Sequence, residues 1–318
     1  MSVVTAAPTT IEMAEPAKPA KPAKLGPTRL SARLSSAGLN VAVLALTLAW
    51  IVPTLGLLIN SFRSGGAFNT SGWWTALAPP FQFTLDSYRH VLGASDLAPS
   101  FFNSFMITIP ATLIPTAIAA FAAYAFAWMR FPGRDWIFLA LVGLLAVPLQ
   151  LTFIPLLTLA VHLGLTSGNT LPFGLNAGFL AIWLAHTGYG LPFAIYLLAN
   201  FFRVLPADLF ESAQIDGAGP VTVFFRLVLP LSVPAIASLV IFQFLWVWND
   251  LLVALIYIGG TPEVAPLTVT LTNLVGSLGQ NIQYLTAAAF VSMIVPLIVF
   301  FTLQRYFVRG ILAGSVKG

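Results

Sequence analysis

Pro206-Ala207-Asp208-Leu209-Phe210-Glu211-Ser212-Ala213-Gln214-Ile215-Asp216-Gly217-Ala218-Gly219-Pro220 stands between two long apolar runs. An acidic side chain at the centre of a lipid-embedded helix costs about 2.5–3.5 kcal/mol, so a stretch carrying Asp208, Glu211 and Asp216 belongs in water. Bracketed by Arg203 and Arg226, it reads as a structured loop between two membrane helices, with a surface made to be gripped by another protein. Pro206 suits a first helical turn, where its missing N–H is not needed. Asp208 then meets the positive end of the helix dipole. Ala207 to Ile215 predicts about two and a half turns, stopped by Asp216-Gly217. Gly219-Pro220 starts a second helix, and Pro230 and Pro234 mark entry into the next apolar run. Small Ser212, Ala213, Gly217 and Ala218 permit close approach by a partner. An amphipathic helix lying in the headgroup layer would be basic on its polar face; this one is acidic.

The rest of the chain requires a lipid solvent. Of 318 residues, 58% are hydrophobic and 8% charged, against about 25% charged in soluble domains. There is no cysteine, which excludes disulfides, thiolate metal sites and a cysteine nucleophile. The net charge of +4 does not indicate nucleic acid, because the basic residues lie in loops around the spans and not along one face.

Residues 1–38, with Ala17 to Lys24 reading Ala-Lys-Pro-Ala-Lys-Pro-Ala-Lys, predict a disordered cytoplasmic tail. The first apolar run starts near Leu39, too far in for a secretory signal, and predicts an uncleaved transmembrane helix. Six spans have about 20 largely apolar residues: Leu39–Ile59, Asn103–Trp128, Trp136–Val161, Ala177–Phe201, Leu231–Ile258 and Tyr284–Leu303. Gly and Pro interrupt the third and fourth. With the N-terminus inside, 12 of the 14 Lys and Arg fall on the cytoplasmic side; only Arg63 and Arg89 fall outside. The excess of basic residues sets the orientation. The expected fold class is therefore an all-α membrane protein with six transmembrane helices over 39–318, both termini cytoplasmic, and a cytoplasmic loop at about 204–230.

Two external loops are expected, at about 60–102 and 259–281. The first carries Trp73, Trp74, Phe81, Phe83 and Tyr88. These read as headgroup-level aromatics or as a folded external segment that touches a partner. The second, with Gly259-Gly260-Thr261-Pro262-Glu263, reads as polar and mobile. Pro110, Pro115, Pro148, Pro155, Pro192, Pro234 and Pro296 lie inside spans. Proline there breaks the helix ladder and needs protein or water to re-satisfy it; broken helices are a transporter device, so seven of them point to a moving bundle.

Polar groups within the spans are a candidate substrate path: Gln150, His186, Tyr189, Gln243, Trp246 and Asn249. Amides, imidazole, phenol and indole match sugars, which bind through hydroxyl hydrogen bonds and ring stacking. The competing reading is helix-to-helix hydrogen bonding. A proton relay at His186 would need acidic or His partners, and none is evident within its span. Asp250, the one acid near a span, either reaches the outer interface or pairs with a partner chain. There is no G-x-x-x-x-G-K-[ST], so any ATP is handled elsewhere. No H-E-x-x-H, G-x-S-x-G or paired-His cluster supports a metal site or catalysis, and the chain is not expected to be an enzyme.

Glu211-Ser212-Ala213, Asp216-Gly217-Ala218 and Leu229-Pro230 together resemble the EAA loop of binding-protein-dependent ATP-binding cassette importers, with Ser212 where Ala is usual. Gln304-Arg305-Tyr306-Phe307-Val308-Arg309-Gly310, the ending Ala313 to Gly318, Trp248-Asn249 and Phe131-Pro132-Gly133 are similar to the maltose/α-glucoside branch of sugar-importer permeases. The resemblance covers about 39–318. It implies half of a sugar pathway in a bacterial or archaeal cell membrane. The partners it implies are a second permease subunit, an ATPase dimer that carries ATP and Mg, and an extracytoplasmic sugar-binding protein. No cofactor is implied on this chain. The resemblance further implies that Asp208, Glu211, Ser212, Ala213, Asp216, Gly217 and Ala218 form the ATPase-coupling loop, with Glu211 at its acidic end and Gly217 making the turn. The C-terminal tail is implied to lie near the ATPase interface, and Gly259–Glu263 to probe the binding protein's sugar cleft. A phosphate-type cargo would want Lys or Arg in the spans, which hold none. A secondary transporter would want intramembrane charges and no docking loop.

Overall fold

The computed structural model describes residues 29–93, 96–274 and 282–315, and side-chain surroundings from residue 38 to 304 within those ranges, Phe173 excepted. The first 28 residues of the expected tail lie outside them. Helix begins at Arg29, so α1 (Arg29–Ser61) starts ahead of the span expected from Leu39. The chain divides into two compact units, Met1–Thr54 and Leu55–Gly318. In the first, only α1 is described. The second carries α2 (Gly65–Thr70), α3 (Asp86–Gly93), α4 (Leu97–Trp128), α5 (Arg134–Gly143), α6 (Phe153–His162), α7 (Ala177–Phe202), α8 (Ala207–Ile215), α9 (Pro220–Val223), α10 (Leu229–Leu231), α11 (Val233–Trp248), α12 (Leu252–Tyr257), α13 (Leu267–Asn273) and α14 (Ile282–Ser315).

Among the described residues, four helices are long and apolar enough to cross a membrane, and two bent helix pairs bring the number to as many as six. The third expected span is not a straight helix: Arg134–Ala146 and Leu149–His162 meet at 100°. Val147 and Pro148 are extended at the break, because proline disfavours a helical conformation in the residue before it. The fourth, expected to be interrupted, is the continuous α7 with Pro192 inside it. The fifth bends by 74° at Ser232 between Pro220–Leu231 and α11. It also ends at Trp248 and not at Ile258, with α12 a separate short helix.

α4 and α7 pack along much of their lengths, α11 packs against both, and α14 packs against α11. On α4 the buried residues Ser100, Ser104, Thr108, Thr112, Thr116 and Ala120 recur every fourth position. On α7, buried Ala181 and Ala185 share a cluster with Ile107 and Ala111 of α4, and Ala194 and Ala199 share one with Ala119, Ala120 and Ala123. Small residues on one helix stripe let backbones approach closely, which is how membrane helices associate when lipid removes the hydrophobic drive.

Three of the intramembrane prolines are braced. Proline deprives the carbonyl four residues earlier of its helical donor. Pro110 frees Met106, whose carbonyl accepts from Trp183 Nε1 of α7 at 2.8 Å. Pro115 frees Ala111, which accepts from Gln243 Nε2 of α11 at 3.3 Å. Pro296 frees Ser292, which accepts from Trp248 Nε1 at 3.3 Å. These prolines pin helices to one another, so counting them as hinges overestimates the freedom of the bundle.

At the end of α4 away from α8, both connecting segments are folded. Between α1 and α4, the fully buried Arg63 guanidinium binds Asn60 Oδ1 and the Ala67 carbonyl at 2.8 Å and the Ser71 carbonyl at 3.0 Å. Tyr88 OH lies 2.8 Å from Ser61 Oγ. The aromatics of this loop therefore belong to an ordered segment. The stretch expected to be mobile is packed over 264–271, with Val264, Ala265, Leu267 and Val269 buried, while residues 260–263 are exposed; its last residues, 275–281, lie outside the described part. Asn103 Nδ2 of α4 donates to the carbonyls of Glu263 at 3.1 Å and Ala265 at 3.2 Å. Ser104 Oγ accepts from Leu267 N at 2.8 Å.

The bracing makes a cycle-type prediction. Trp183→Phe orphans the Met106 carbonyl and should destabilise the folded protein by about 1–3 kcal/mol, the cost of an unmet buried hydrogen-bonding group. In a Pro110→Ala background the helix supplies its own donor, and the same substitution should cost much less. Thermal unfolding in detergent of the four proteins measures the difference; equal costs in both backgrounds contradict the bracing.

Candidate functional site

The acidic loop folds as an elbow. α8 covers Ala207–Ile215 and Pro206 is its N-cap residue, one position earlier than the sequence rule places it. Asp208 is in the first turn. Gly217, at φ 74°, ends the helix. Ala218 N donates to the Ala213 carbonyl at 2.9 Å and Gly217 N to the Gln214 carbonyl at 3.0 Å, the paired bonds of a left-handed helix stop. No neighbour lies within 4 Å of a Cβ at Gly217, so backbone conformation alone calls for glycine there. Gly219 caps α9 with Pro220 at its start, as the sequence predicts. α9 then runs into a π-helical turn, Phe224–Val228.

The elbow is bolted to the spans by one aromatic. Phe210 is 5% exposed and stacks on Trp128 with ring centroids 3.5 Å apart. Trp128 Nε1 donates to the Phe202 carbonyl at 2.9 Å, which also accepts from Leu205 N at 3.3 Å in the turn that ends α7. Phe210 fills one side of α8; Asp208, Glu211, Ser212 and Asp216 are exposed, while Ala213 and Ala218 are half-buried. Ile215 is 87% exposed and Val221 70%. Ser212 Oγ donates to the Asp208 carbonyl of its own helix at 2.8 Å. In the elbow is an open cleft of about 450 Å³, lined by Asp216, Gly217, Thr222 and Arg226 among others. A projecting acidic helix with bare apolar side chains beside it, rigidly mounted on the spans, can transmit force from a docked partner.

The six intramembrane candidates do not form one site. Gln243 is buried and committed to the Ala111 carbonyl. It presses on Gly190, where an added Cβ would come within 2.6 Å of its Nε2. Asn249 is exposed and donates to the Leu245 carbonyl at 2.7 Å. Trp246 is half-buried, edge-on to His186 at 5.4 Å. Tyr189 is half-buried and Gln150 exposed, both near the bend between α5 and α6.

His186 is fully buried and neither ring nitrogen has a hydrogen-bond partner. Its Nε2 lies 3.8 Å from Asp250 Oδ2, beyond hydrogen-bond distance. The search for a mate within the same span missed this, because the acid comes from the break after α11. That carboxylate also caps α12, accepting from Ala254 N at 3.0 Å, while the Asp250 carbonyl accepts from Thr268 Oγ1 at 2.6 Å. Thr152 and Tyr257 were missed too. Tyr189 OH lies 3.0 Å from Tyr257 OH and 3.1 Å from Thr152 Oγ1. Nothing in the spacing of 152, 189 and 257 announces a cluster that only folding assembles.

The anchoring of the elbow can be tested. Phe210→Ala should cost about 3–5 kcal/mol, concentrated in α8. Hydrogen exchange should show α8 amides losing protection while those of α4 and α7 keep theirs. Unchanged α8 protection would mean that Phe210 is not its anchor.

Residues 116–313 match the model of the "Binding-protein-dependent transport system inner membrane component" family. The osmoprotective compounds uptake permease protein GgtD of Synechocystis sp. is 56% identical over 282 residues, covering 88% of this chain and 91% of that protein. The alpha-glucoside transport system permease protein AglG of Rhizobium meliloti is 52% identical over 262 residues, covering 82% of this chain and 67% of that protein. The fold is also that of a chain in the crystal structure of a bacterial ABC transporter that imports alginate, with a TM-score of 0.67, 21% identity, and coverage of 86% of this chain and 97% of that one. With this family match over the core helices and the elbow, and these relatives over most of its length, the chain belongs to the binding-protein-dependent transport system inner membrane components, as a multi-pass inner-membrane subunit.

Proposed function

We propose that this chain is one of two permease subunits of an ATP-driven importer of small, neutral α-glucosides. The elbow, acidic and apolar on its exposed side and bolted through Phe210 and Trp128 to the spans, is the observation that carries this reading. In it, the chain crosses the membrane six times, counting each bent pair once, with both termini and the elbow in the cytoplasm. The 12-to-2 distribution of basic residues supports that orientation. An ATPase subunit grips α8 through Asp208, Glu211, Ser212, Ala213, Asp216, Gly217 and Ala218. ATP and Mg reside on that partner. Its closure moves the elbow as a rigid lever and flips the pathway between inward-open and outward-open states. A sugar-binding protein delivers cargo at the opposite face, where 60–93 and 258–274 are folded. The relatives named for osmoprotective compounds and alpha-glucosides, and spans without Lys or Arg, support a small neutral sugar.

The test is purification in mild detergent with identification of co-purifying chains, followed by uptake in proteoliposomes. A second permease, an ATPase and ATP-dependent sugar uptake are expected. Gly217→Pro cannot hold a positive φ and should lower uptake by about tenfold or more while membrane insertion is preserved. Glu211→Lys should do the same through charge reversal at the docking surface. Normal uptake by either variant would show that the elbow does not couple the two subunits, and uptake by this chain alone without ATP would remove the importer reading altogether.

A further inference from the structure

At the bend between α5 and α6, turn bonds from Val147 N to the Leu144 carbonyl and from Leu151 N to the Pro148 carbonyl, both 3.1 Å, meet local backbone groups, yet the non-helical segment is left exposed. The 13-residue half Arg134–Ala146 rises about 20 Å, which sets the bend deep in a hydrocarbon core of about 30 Å. Val147 and Pro148 are extended there. Leu144, Leu145, Val147 and Leu151 are 57%, 44%, 42% and 69% exposed, and Pro148 and Gln150 are exposed with them. Non-helical backbone at membrane depth persists only against protein or a water-filled cavity. A bare carboxamide at Gln150 also has no place against lipid tails.

Beside the bend, three hydroxyls from three elements converge. Thr152 Oγ1, on the turn Leu149–Thr152 that follows the bend, donates to the Leu149 carbonyl at 2.6 Å. Tyr189 OH of α7 lies 3.1 Å from Thr152 Oγ1, and Tyr257 OH of α12 lies 3.0 Å from Tyr189 OH. Phe153 fixes the Tyr189 ring edge-to-face at 6.3 Å. A hydroxyl has one donor and two acceptor sites. Thr152 Oγ1 is placed to donate to the Leu149 carbonyl and to Tyr189 OH, and its one proton serves one of them at a time, so the phenol hydroxyls keep both donor and acceptor capacity. The cluster thus presents hydroxyls that donate and accept on half-buried Thr152 and Tyr189, with the exposed Gln150 amide two residues before Thr152 and no charged group among them. A neutral polyol is the ligand this set matches. Tyr257, 5% exposed, holds Tyr189 in place and does not itself reach the pathway.

We infer that Gln150, Thr152 and Tyr189, with Tyr257 as positioning residue, form a glycoside-contacting site at the bend of the broken third span, contributed by this chain to the translocation path. This rests on the importer reading above and names the part of the chain that meets the sugar.

The experiment uses the complete importer in proteoliposomes, with its binding protein saturating and radiolabelled maltose, sucrose and trehalose as probes. ATP hydrolysis is recorded with uptake. Failure of the wild type to import any of the three would overturn the cargo assignment and this site with it. Where the wild type imports, Gln150→Ala and Tyr189→Phe should lower sugar moved per ATP hydrolysed by about tenfold, the scale of one neutral hydrogen bond, and change the ratio between probes. Stimulation of ATP hydrolysis by loaded binding protein should persist. Tyr257→Phe should shift the probe ratio in the same direction but less. Thr158→Val, on an exposed hydroxyl of α6 that bonds its own helix at the Ile154 carbonyl, should leave both unchanged. An unchanged uptake-to-ATP ratio in Gln150→Ala and Tyr189→Phe, or a parallel loss of uptake and ATP hydrolysis, would overturn the site while leaving the importer reading intact.

Discussion

A peptide carbonyl in lipid has no water to turn to, and each proline in a membrane helix creates one. The fold depends on how those carbonyls are met. Trp183, Gln243 and Trp248 each donate across a helix interface to a carbonyl that Pro110, Pro115 or Pro296 has released. Trp128 likewise donates across an interface, to the Phe202 carbonyl at the end of α7 where the chain turns into the elbow. The donors are long and planar, so they reach a neighbouring backbone while their ring or amide faces stay packed. Each bond also fixes register, because only one carbonyl per proline is available to accept. The prolines that look like flexibility in the sequence thereby become joints that lock α4 to α7 and α11, and α14 to α11.

The same accounting separates the locked core from the parts that can move. Where a freed backbone group finds a side-chain partner across a helix interface, the helix stays continuous, as in α4 and α14. At Val147–Pro148 the Leu144 carbonyl is met by a tight turn from Val147 N, so the helix breaks there and leaves its corner exposed. The elbow belongs to the locked part: Phe210 stacked on Trp128 joins α8 to the end of α4, and the Schellman-type bonds at Gly217 hold the turn to α9. A pull on α8 is therefore felt at α4 and, through the 74° bend at Ser232, at α11.

At the other end of α4, Ser100, Asn103 and Ser104 tie down the segment 263–270, and Asp250 sits at the root of that segment facing His186. A buried imidazole without hydrogen bonds is costly unless the arrangement it supports is needed. Here the carboxylate caps α12 and its backbone carbonyl holds Thr268, so the break after α11 is held open in a defined shape.

The sequence by itself determined the membrane class, the approximate apolar runs, the basic-residue asymmetry and the elbow, including its stop at Gly217 and restart at Pro220. Those follow from local rules: hydropathy over about 20 residues, and caps set by neighbours a few positions away. Tertiary structure decided which prolines break a helix and which are braced. It also moved Gln243 from a candidate sugar contact to a backbone cap, set Asp250 beside His186, and joined Thr152, Tyr189 and Tyr257. The physical reason is the same throughout. A buried polar group's role is fixed by what it bonds to, and in this chain those partners lie tens of residues away on other helices, where no local periodicity can indicate them.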